Sequence, residues 1–253
     1  MPAMKALLVG YGSMGREVER VLSERGHGVA ARVDPVDPGA EHTSLEGARS
    51  VSADVVIEFS VPGAVLPNVR RYAELGLSAV VGTTGWQAHV GDVRQIVESS
   101  GIGLLYGSNF SIGAHLFFGI VDEATRRIDS MEQYDISILE IHHKRKKDSP
   151  SGTALTVAKT VLGASTRKKK VVTDKLDRAI EPEELHVASV RGGAFPGTHT
   201  VLFDSLADTI EITHTARSRG GFALGAVMAA EWIRGKKGLY EVSEFVRALS
   251  GRK

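Results

Sequence analysis

A glycine-rich turn near the start of the chain limits the folds available to this sequence. Residues 6–9, Ala-Leu-Leu-Val, form a continuous apolar run, as expected of a strand that is buried on both faces. Gly10, Gly12 and Gly15 follow in the spacing G-x-G-x-x-G, and apolar residues at helical spacing begin at Val18. A strand, a glycine turn and a helix make the first half of a β-α-β unit, so the sequence predicts a parallel sheet.

The alternation of strands and helices continues to about residue 108 and then changes. Up to that point the pattern predicts strands at 29–33, 54–60, 79–82 and 102–106, and helices at 66–75 and 87–99. Beyond it, mostly β-branched or alternating segments lie at 134–141, 187–190, 198–203 and 209–215, with helices at 114–128 and 153–162. The tail is helical in pattern at 222–232 and 242–249, and Lys168-Lys169-Lys170 is interpreted as a solvated loop without a function.

These patterns predict an α/β fold with two domains. The first, residues 1–110, is a Rossmann-type doubly wound parallel sheet that the C-terminal helices of residues 217–253 complete. The second, residues 111–216, is an α+β domain with a mixed or antiparallel sheet.

Composition excludes several classes of function. The net charge is +1, so no overall field attracts nucleic acid or a membrane surface, and we expect neither as a partner. The chain has no cysteine, which excludes disulfides, zinc–thiolate sites and thiol nucleophiles. The first apolar run is too short for a signal peptide or a membrane span, so we expect a cytoplasmic protein.

The glycine turn predicts a dinucleotide site. Gly10 permits the tight turn, Gly12 lets the backbone approach a pyrophosphate, and Gly15 lets the helix pack closely on the strand. Unpaired N–H groups at the start of the helix then face the phosphates. The interpretation covers the whole turn, including Tyr11, Ser13 and Met14; its alternative is a tight strand–helix turn without a ligand.

Asp34 bears on the choice of cofactor. It ends the second predicted strand, 19 residues after Gly15, where a carboxylate can bind both ribose hydroxyls and repel a 2′-phosphate. NADH is therefore favoured over NADPH. Arg16 and Arg32 could still hold a 2′-phosphate, so NADPH remains possible, and Asp34-Pro35 could instead be a turn-forming pair.

Five segments resemble those of one enzyme family. Residues 140–154, EIHHKRKKDSPSGTA, closely resemble the signature of the 4-hydroxy-tetrahydrodipicolinate reductases, also called dihydrodipicolinate reductases. Similar segments occur in the same order at 58–60, 81–85, 108–113 and 214–219, and the likeness covers nearly the whole chain. One departure is the glycine turn, which is one residue shorter than in many members and has Ser13 where they have arginine.

The resemblance implies a function and a set of site residues. It implies NAD(P)H-dependent reduction of a small dicarboxylate, 4-hydroxy-tetrahydrodipicolinate, with loss of water, by a homotetramer in lysine and diaminopimelate biosynthesis. His142 and Lys146 match the catalytic positions, and the substrate-binding positions are matched by His143, Ser151, Gly152 and Thr153. Beyond the turn and Asp34, the family's cofactor-binding positions are matched by Gly82, Thr83, Thr84, Ser108, Asn109, Phe110, Ser111 and Arg219.

The residue types suit this chemistry, although simpler interpretations exist. The start of a helix at Ser151 offers free N–H groups to a carboxylate, and a histidine can supply a proton near neutral pH. His142 and His143 would point to opposite faces of a strand, so one could be structural, and the division of roles between His142 and Lys146 stays open. Asn109 could be a turn residue instead of a ligand. The adjacent histidines could also indicate a metal site, but we expect no metal because no further ligands occur at a convincing spacing.

Two other functions are compatible with the fold. The chain could be a different NAD(P)-dependent oxidoreductase, because a fold does not fix its chemistry. It could also be a non-catalytic dinucleotide sensor, which would need neither His142 nor Lys146.

Overall fold

A computed structural model describes residues 2–173, 175–249 and 251. The chain folds into two units: Met1–Ile112 together with Arg219–Lys253, and Gly113–Ser218. The predicted domain limits at residues 1 and 253 lie outside the described residues.

The first unit is built on a parallel sheet of six strands. They are β1 (Lys5–Val9), β2 (Gly28–Val33), β3 (Val55–Glu58), β4 (Ala79–Val81), β5 (Gly103–Tyr106) and β11 (Gly238–Glu241). Their order is β11-β5-β4-β3-β1-β2, and every neighbouring pair is parallel. The chain leaves β1 for β2 on one side and returns to β3 on the other, which opens a crevice at the carboxyl ends of β1 and β3.

Helices cover both faces of this sheet because β1, β3 and β4 are apolar at every position except Lys5 and Glu58. The helices are α1 (Ser13–Glu24), α2 (Pro62–Leu75), α3 (Val90–Ser100, after a 3₁₀ turn at Gln87–His89), α6 (Gly220–Ile233) and α7 (Val242–Leu249). Ala6 and Leu8 pack in a core with α1, α6 and α7, whereas Leu7 and Val9 pack with α2 and α3. The prediction of a doubly wound parallel sheet is confirmed.

The helical interpretation of the tail was incomplete. Between α6 and α7 the chain forms β11, which pairs with β5 at the edge of the sheet. Four residues after two lysines carry too short an apolar pattern to indicate a strand, and only the exposed edge of β5 gives them a partner.

The second unit has a mixed sheet of five strands. They are β6 (Asp135–His142), β7 (Lys170–Val172), β8 (Glu184–Arg191), β9 (Thr198–Asp204) and β10 (Thr209–Thr215), in the order β10-β9-β6-β8-β7. β9 is antiparallel to β6 and β10, while β8 is parallel to β6 and β7. Helices α4 (Ile112–Ile128) and α5 (Gly152–Ala164) supply apolar residues to the core on one face of this sheet. The prediction of an α+β unit with a mixed sheet is confirmed.

The interpretation of the lysine run at 168–170 as a solvated loop was wrong for Lys168, whereas Lys169 and Lys170 are exposed. Lys168 is only 1% exposed, and its Nζ donates to the carbonyls of Pro182 (2.9 Å) and Glu184 (2.7 Å) and pairs with Asp135 (2.5 Å). Lys170 begins β7. A charge run usually faces solvent, but here carbonyl acceptors distant in sequence replace the water that the ammonium loses.

Among the described residues, no helix is both long enough and apolar enough to cross a membrane.

Candidate active site

The glycine turn has the geometry that its spacing predicts. Gly10 has φ +88°, a conformation that favours glycine, and a Cβ there would overlap the carbonyl of Phe59. A Cβ on Gly15 would overlap the carbonyl of Gly10, so helix α1 approaches the turn closely. At Gly12, by contrast, a Cβ would meet no other described atom within 4 Å, apart from its chain neighbours. The backbone is therefore accessible at Gly12, where the glycine spacing predicts contact with a pyrophosphate.

Two further features mark the start of α1. Its N-cap residue is Gly12, and no side chain caps the first turn, so the helix presents N–H groups of the kind that bind anions. Arg219, at the N-cap of α6, donates to the hydroxyl of Ser13. The guanidinium of Arg219 thus contacts Ser13, the position at which many family members have arginine. The side chain of Met14 is half-buried against the core, so this residue can contribute only its backbone N–H to a ligand.

Asp34 holds a backbone turn. Its Oδ2 accepts from the N–H of Tyr11 (2.8 Å), and its Oδ1 accepts from those of Val36 and Asp37 (both 2.9 Å). Burial raises the pKa of Asp34, but these three bonds outweigh it and leave the pKa below its usual value. The carboxylate is therefore ionised at neutral pH, and the turn-forming interpretation of Asp34 describes part of its role. An oxygen that accepts one bond keeps a lone pair for a second donor such as a ribose hydroxyl.

The two arginines that could receive a 2′-phosphate are paired with carboxylates. Arg16 Nη2 contacts both carboxylate oxygens of Asp37, at 2.7 and 3.0 Å, and stacks over the ring of Tyr11. Arg32 pairs with Glu19 and Glu41. The hydroxyl of Tyr11 also donates to Glu19, so this buried aromatic ring lies within the same charged network. A 2′-phosphate would have to compete with these carboxylates for either guanidinium.

The segments after β4 and β5 are held by packing and turn hydrogen bonds. A Cβ on Gly82 would overlap the ring of Phe59, which lies edge-on to Phe110 at 6.2 Å. The hydroxyl of Thr83 accepts from the N–H of Ser60 (2.8 Å), whereas Thr84 and Ser108 are exposed. Asn109 Oδ1 accepts from the N–H of Ser111 (2.9 Å), which is the turn role considered for Asn109. Phe59 and Phe110 thus form an aromatic floor, and the exposed Thr84 and Ser108 lie in the segments that follow β4 and β5.

Sequence reasoning assigned no role to Glu58, which is fully buried at the end of β3. Its carboxylate accepts from Ser60 Oγ (2.5 Å), Asn68 Nδ2 (2.8 Å) and the hydroxyl of Tyr72 (2.9 Å). Burial raises the pKa of Glu58 despite these bonds. The sequence signal that could have indicated Glu58 is an acidic residue at the end of an otherwise apolar strand.

In the second unit, His142 lies in a buried polar cluster. It ends β6, two residues after Glu140, so both side chains lie on the face of the sheet that the helices cover. Glu140 Oε2 is 3.1 Å from His142 Nδ1 and 3.6 Å from His199 Nε2, and the two imidazole rings meet edge to face at 5.1 Å. Burial lowers the pKa of both histidines, that of His199 to about 4. Both rings are therefore mainly neutral at pH 7.

The N-terminus of α5 is tied to this cluster. Ser151 is the N-cap: its hydroxyl accepts from the N–H of Ala154 (3.1 Å) and lies 3.1 Å from His199 Nε2. Its own N–H donates to Glu140 Oε1 (3.0 Å). A Cβ on Gly152 would meet no described atom within 4 Å outside its own helix and chain neighbours, and Thr153 is half-buried. The first turn of α5 is therefore fixed, with space beside Gly152 for a ligand.

Lys146 and His143 lie beyond the end of β6. The Nζ of Lys146 pairs with both carboxylate oxygens of Asp148, at 2.7 and 2.9 Å, and the side chain is 25% exposed. The N–H of His143 donates to the carbonyl of Phe195, so the chain has left the sheet there. The opposite-faces argument, which assumed that both histidines lie within a strand, does not apply to His143.

Family models match most of the chain. The model described as "Dihydrodipicolinate reductase, N-terminus" matches residues 4–110, and "Dihydrodipicolinate reductase, C-terminus" matches residues 113–246. The chain belongs to the dihydrodipicolinate reductase family.

Curated relatives bear the name 4-hydroxy-tetrahydrodipicolinate reductase. The protein of Christiangramia forsetii is 37% identical, over 97% of this chain and 99% of its own. That of Chromobacterium violaceum is 35% identical, over 92% of this chain and 94% of its own. Among solved structures, a dipicolinate-bound dihydrodipicolinate reductase from Paenisporosarcina sp. TG-14 has a TM-score of 0.78 at 21% identity, covering 96% of this chain and 99% of that one. This likeness supports the fold.

As a member of the dihydrodipicolinate reductase family, the chain is an enzyme that uses a pyridine nucleotide. The predicted cofactor residues lie in the first unit, and the predicted catalytic and substrate residues lie in the second. Sequence reasoning did not select Glu140, Arg191 and His199, which complete the environment of His142. Period-2 alternation along β6 could have indicated Glu140, whereas Arg191 and His199 come from strands 40 or more residues later.

The cluster also contains the residue types of a metal site. One candidate ligand atom from each of Glu140, His142 and His199 lies within 4.8 Å of the others. Arg191 Nη2, however, donates to the same carboxylate at 2.7 Å, and its positive charge opposes a cation there. The absence of a metal site stays a prediction.

Proposed function

We propose that this chain reduces 4-hydroxy-tetrahydrodipicolinate to tetrahydrodipicolinate, with loss of water and with NADH as the favoured donor. Its family acts in lysine and diaminopimelate biosynthesis as pyridine-nucleotide-dependent reductases. The observation that carries the proposal is the connection of His142, through Glu140, to Ser151 at the start of α5. A proton donor and a carboxylate-binding helix end are thereby joined in one rigid cluster.

The substrate is a dicarboxylate, and a relative in this family binds dipicolinate, a planar dicarboxylate. We assign one carboxylate to the first turn of α5, where the N–H groups of Gly152 and Thr153 and the hydroxyl of Thr153 are donors. Ser151 fixes this turn as its cap, and His143 lies on the loop that leaves β6. Lys146 adds a positive charge that Asp148 holds until a substrate carboxylate replaces it.

The nicotinamide, when bound, supplies the hydride. Reduction of a conjugated imine places negative charge on the substrate, and a proton must neutralise it. His142 is buried, and burial first, followed by the charge of Lys146, lowers the pKa of His142. We assign proton transfer to His142, through the protonated ring that forms when it takes up a proton from solvent, and charge stabilisation to Lys146.

The cofactor preference follows from the charges around Asp34. An ionised Asp34 accepts ribose hydroxyls and repels a 2′-phosphate, while Arg16 and Arg32 are held by carboxylates. Gly12, Ser13 and Arg219 surround the start of α1, where we place the pyrophosphate. NADPH use remains possible if Arg16 leaves Asp37.

We also propose a homotetramer that assembles through the second unit. The face of its sheet opposite α4 and α5 carries apolar side chains that are half-buried or exposed, among them Leu139, Ile141, Ala188, Val190 and Leu202. An apolar sheet face of this kind is suited to self-association. Light scattering during gel filtration should give four times the mass of the chain; a monomer would contradict the assembly. The cytoplasmic location stays a prediction.

The decisive experiment is an optical assay of cofactor oxidation. The substrate is the freshly prepared condensation product of pyruvate and aspartate semialdehyde, offered with NADH and with NADPH in parallel. We expect substrate-dependent oxidation that is more efficient with NADH. Oxidation that does not depend on the substrate would overturn the proposed reaction, and a preference for NADPH would overturn the cofactor assignment alone.

A further inference from the structure

Glu140 is an unusual companion for a proton donor because it has no exposure to solvent. Its side chain is 0% exposed and His142 is 5% exposed, on the same face of β6. Burying a carboxylate is costly unless hydrogen bonds and opposite charges replace the lost water. A charged residue kept in this position therefore needs a physical explanation.

One oxygen of Glu140 accepts from three donors, which come from the start of α5 and from β8. Oε1 accepts from the N–H of Ser151 (3.0 Å), Ser189 Oγ (2.8 Å) and Arg191 Nη2 (2.7 Å). Burial opposes ionisation, but these bonds lower the pKa of Glu140 to about 2. The carboxylate is thus fixed in orientation and negatively charged at every pH at which the enzyme would work.

The other oxygen points between two histidines. Oε2 lies 3.1 Å from His142 Nδ1, and neither atom makes a well-aligned hydrogen bond with any described residue. The 3.1 Å separation is nevertheless within hydrogen-bonding distance. Because an ionised carboxylate can only accept, the nitrogen that faces it must carry the proton.

The opposite edge of the His142 ring faces a glycine. Gly197 has φ +144°, and a Cβ there would lie 2.8 Å from His142 Nε2. Any side chain at this position would clash with Nε2, the nitrogen that carries no proton when Nδ1 is protonated in the neutral ring. The ring of His142 therefore lies between the carboxylate of Glu140, on its Nδ1 side, and the backbone of Gly197, on its Nε2 side.

We propose that Glu140 is a positioning residue that keeps a proton on Nδ1 of His142, so that Nε2 is the atom that takes up a proton from solvent, which forms the imidazolium, and then passes this proton to the substrate. This inference rests on the proposed function and deepens it. Other charged or titratable groups around the ring are Arg191 from β8, His199 from β9, and Lys146 and Asp148 from the loop, with His214 of β10 beyond His199. The carboxylate that pairs with His142 Nδ1 is that of Glu140, at 3.1 Å.

The first test is direct observation of the histidine tautomer. Nitrogen-15 NMR of the full-length protein without substrate should show His142 Nδ1 protonated and Nε2 unprotonated near pH 7.5. In E140Q we expect a mixture of tautomers, and in E140D a return towards the wild-type spectrum. A wild-type ring protonated on Nε2, or an unchanged spectrum in E140Q, would overturn the proposal whatever the enzyme's activity.

The second test is the pH dependence of turnover. Since the negative charge of Glu140 stabilises protonated His142, E140Q should move the His142-dependent limb of the kcat profile to lower pH. We expect kcat to fall about 100-fold, a fraction of a general acid's usual contribution, with the KM for NADH unchanged. A uniform loss at all pH values without this shift would indicate a merely structural role and contradict the proposal.

Ser189→Ala is the matched control. It removes one bond to the same carboxylate but leaves Oε2, Arg191 and the charge in place, so the tautomer and the pH profile should stay those of the wild type. If E140Q does not fold, Gly197→Ala tests the same ring from its other edge, with a lower kcat and a displaced Nε2 resonance expected. Loss of activity on treatment with EDTA, restored by zinc, would instead assign the cluster to a metal and overturn the positioning role.

The two levels of inference fail separately. A wild-type protein without reductase activity but with the expected tautomer would contradict the proposed function alone. Reductase activity with the opposite tautomer would contradict the role of Glu140 alone.

Discussion

Single carboxylates in this chain serve the backbone and the site at once. Asp34 holds three N–H groups of a turn and is expected to read the ribose, while Glu140 holds the start of α5 and faces His142. In each case hydrogen bonds keep the group ionised despite burial. A substitution at such a residue therefore has to preserve the structural bonds if it is to report on function.

Asp34→Asn tests the charge of Asp34. The amide oxygen can still accept from the N–H groups of Val36 and Asp37, whereas the bond from the N–H of Tyr11 is lost. The negative charge is removed, so the repulsion of a 2′-phosphate should disappear. We expect NADH to bind about 10-fold more weakly, as after the loss of one charged hydrogen bond, and the gap to NADPH to narrow. Fluorescence titration with both cofactors measures this. An unchanged preference would mean that Asp34 serves only the turn.

Lys146→Ala should slow turnover while leaving NADH binding intact. The ammonium lies in the second unit, whereas the predicted cofactor residues lie in the first, so its loss should affect the substrate and the transition state. We expect kcat to fall by about 100-fold or more. The nearby exposed Lys147→Ala is the control and should retain wild-type kinetics. Equal losses in both variants would indicate a general effect of loop charge.

Among the elements, helix α6 contacts the loop after β5 at Gly225. A Cβ at this position would overlap the carbonyl of Phe110, the residue that forms the aromatic floor beside the predicted cofactor segments. The backbone of α6 therefore touches the loop after β5 directly. This contact ties a C-terminal helix to a site built by the first half of the chain.

Gly225→Ala should destabilise the first unit by about 1–3 kcal/mol, because neither backbone can move without disturbing the packing. The control lies in the same helix. At Gly221 a Cβ would come no closer than 3.7 Å to Ser111 Oγ, so Gly221→Ala should be neutral or slightly stabilising. Urea unfolding of both variants measures the difference. Equal stability would show that α6 can shift outwards freely.

For the whole molecule, the buried histidines make stability depend on pH. His142, His199 and His214 all have pKa values lowered first by burial, that of His199 to about 4. A group whose pKa is lower in the folded state binds fewer protons there than in the unfolded state. The stability it contributes is therefore complete above about pH 6.5, the unfolded value, and is lost as pH falls through the folded value.

We expect the free energy of unfolding to fall between pH 6.5 and 4, with a slope of up to about 1.4 kcal/mol per pH unit for each such histidine. The carboxylates Asp129 and Glu140, with pKa values near 2, add their loss only below about pH 4.5. At pH 7.5, 6.5 and 5.5 these two carboxylates do not contribute, but Glu58, whose pKa burial raises, adds stability as pH falls. The difference in urea titrations between the wild type and His199→Gln therefore isolates His199. His199→Gln should lose less stability as pH falls; equal curves would contradict the burial argument.

How much was predictable depended on where each residue's partners lie in the chain. The sequence by itself determined the doubly wound sheet, the mixed sheet, the glycine turn and the start of α5, because apolar periodicity, glycine spacing and helix capping act between neighbours. It also placed Glu140 and His142 two residues apart on one strand.

Only the tertiary structure decided the strand β11, the buried Lys168, the overlap at Gly225 and the attachment of Arg219 to Ser13. It also brought Arg191 and His199 to Glu140, from positions 51 and 59 residues later in the chain. The reason is common to all of them: a buried charge or a close backbone contact is stable only beside a particular partner. No local pattern specifies a partner that the chain supplies from a distant strand or helix.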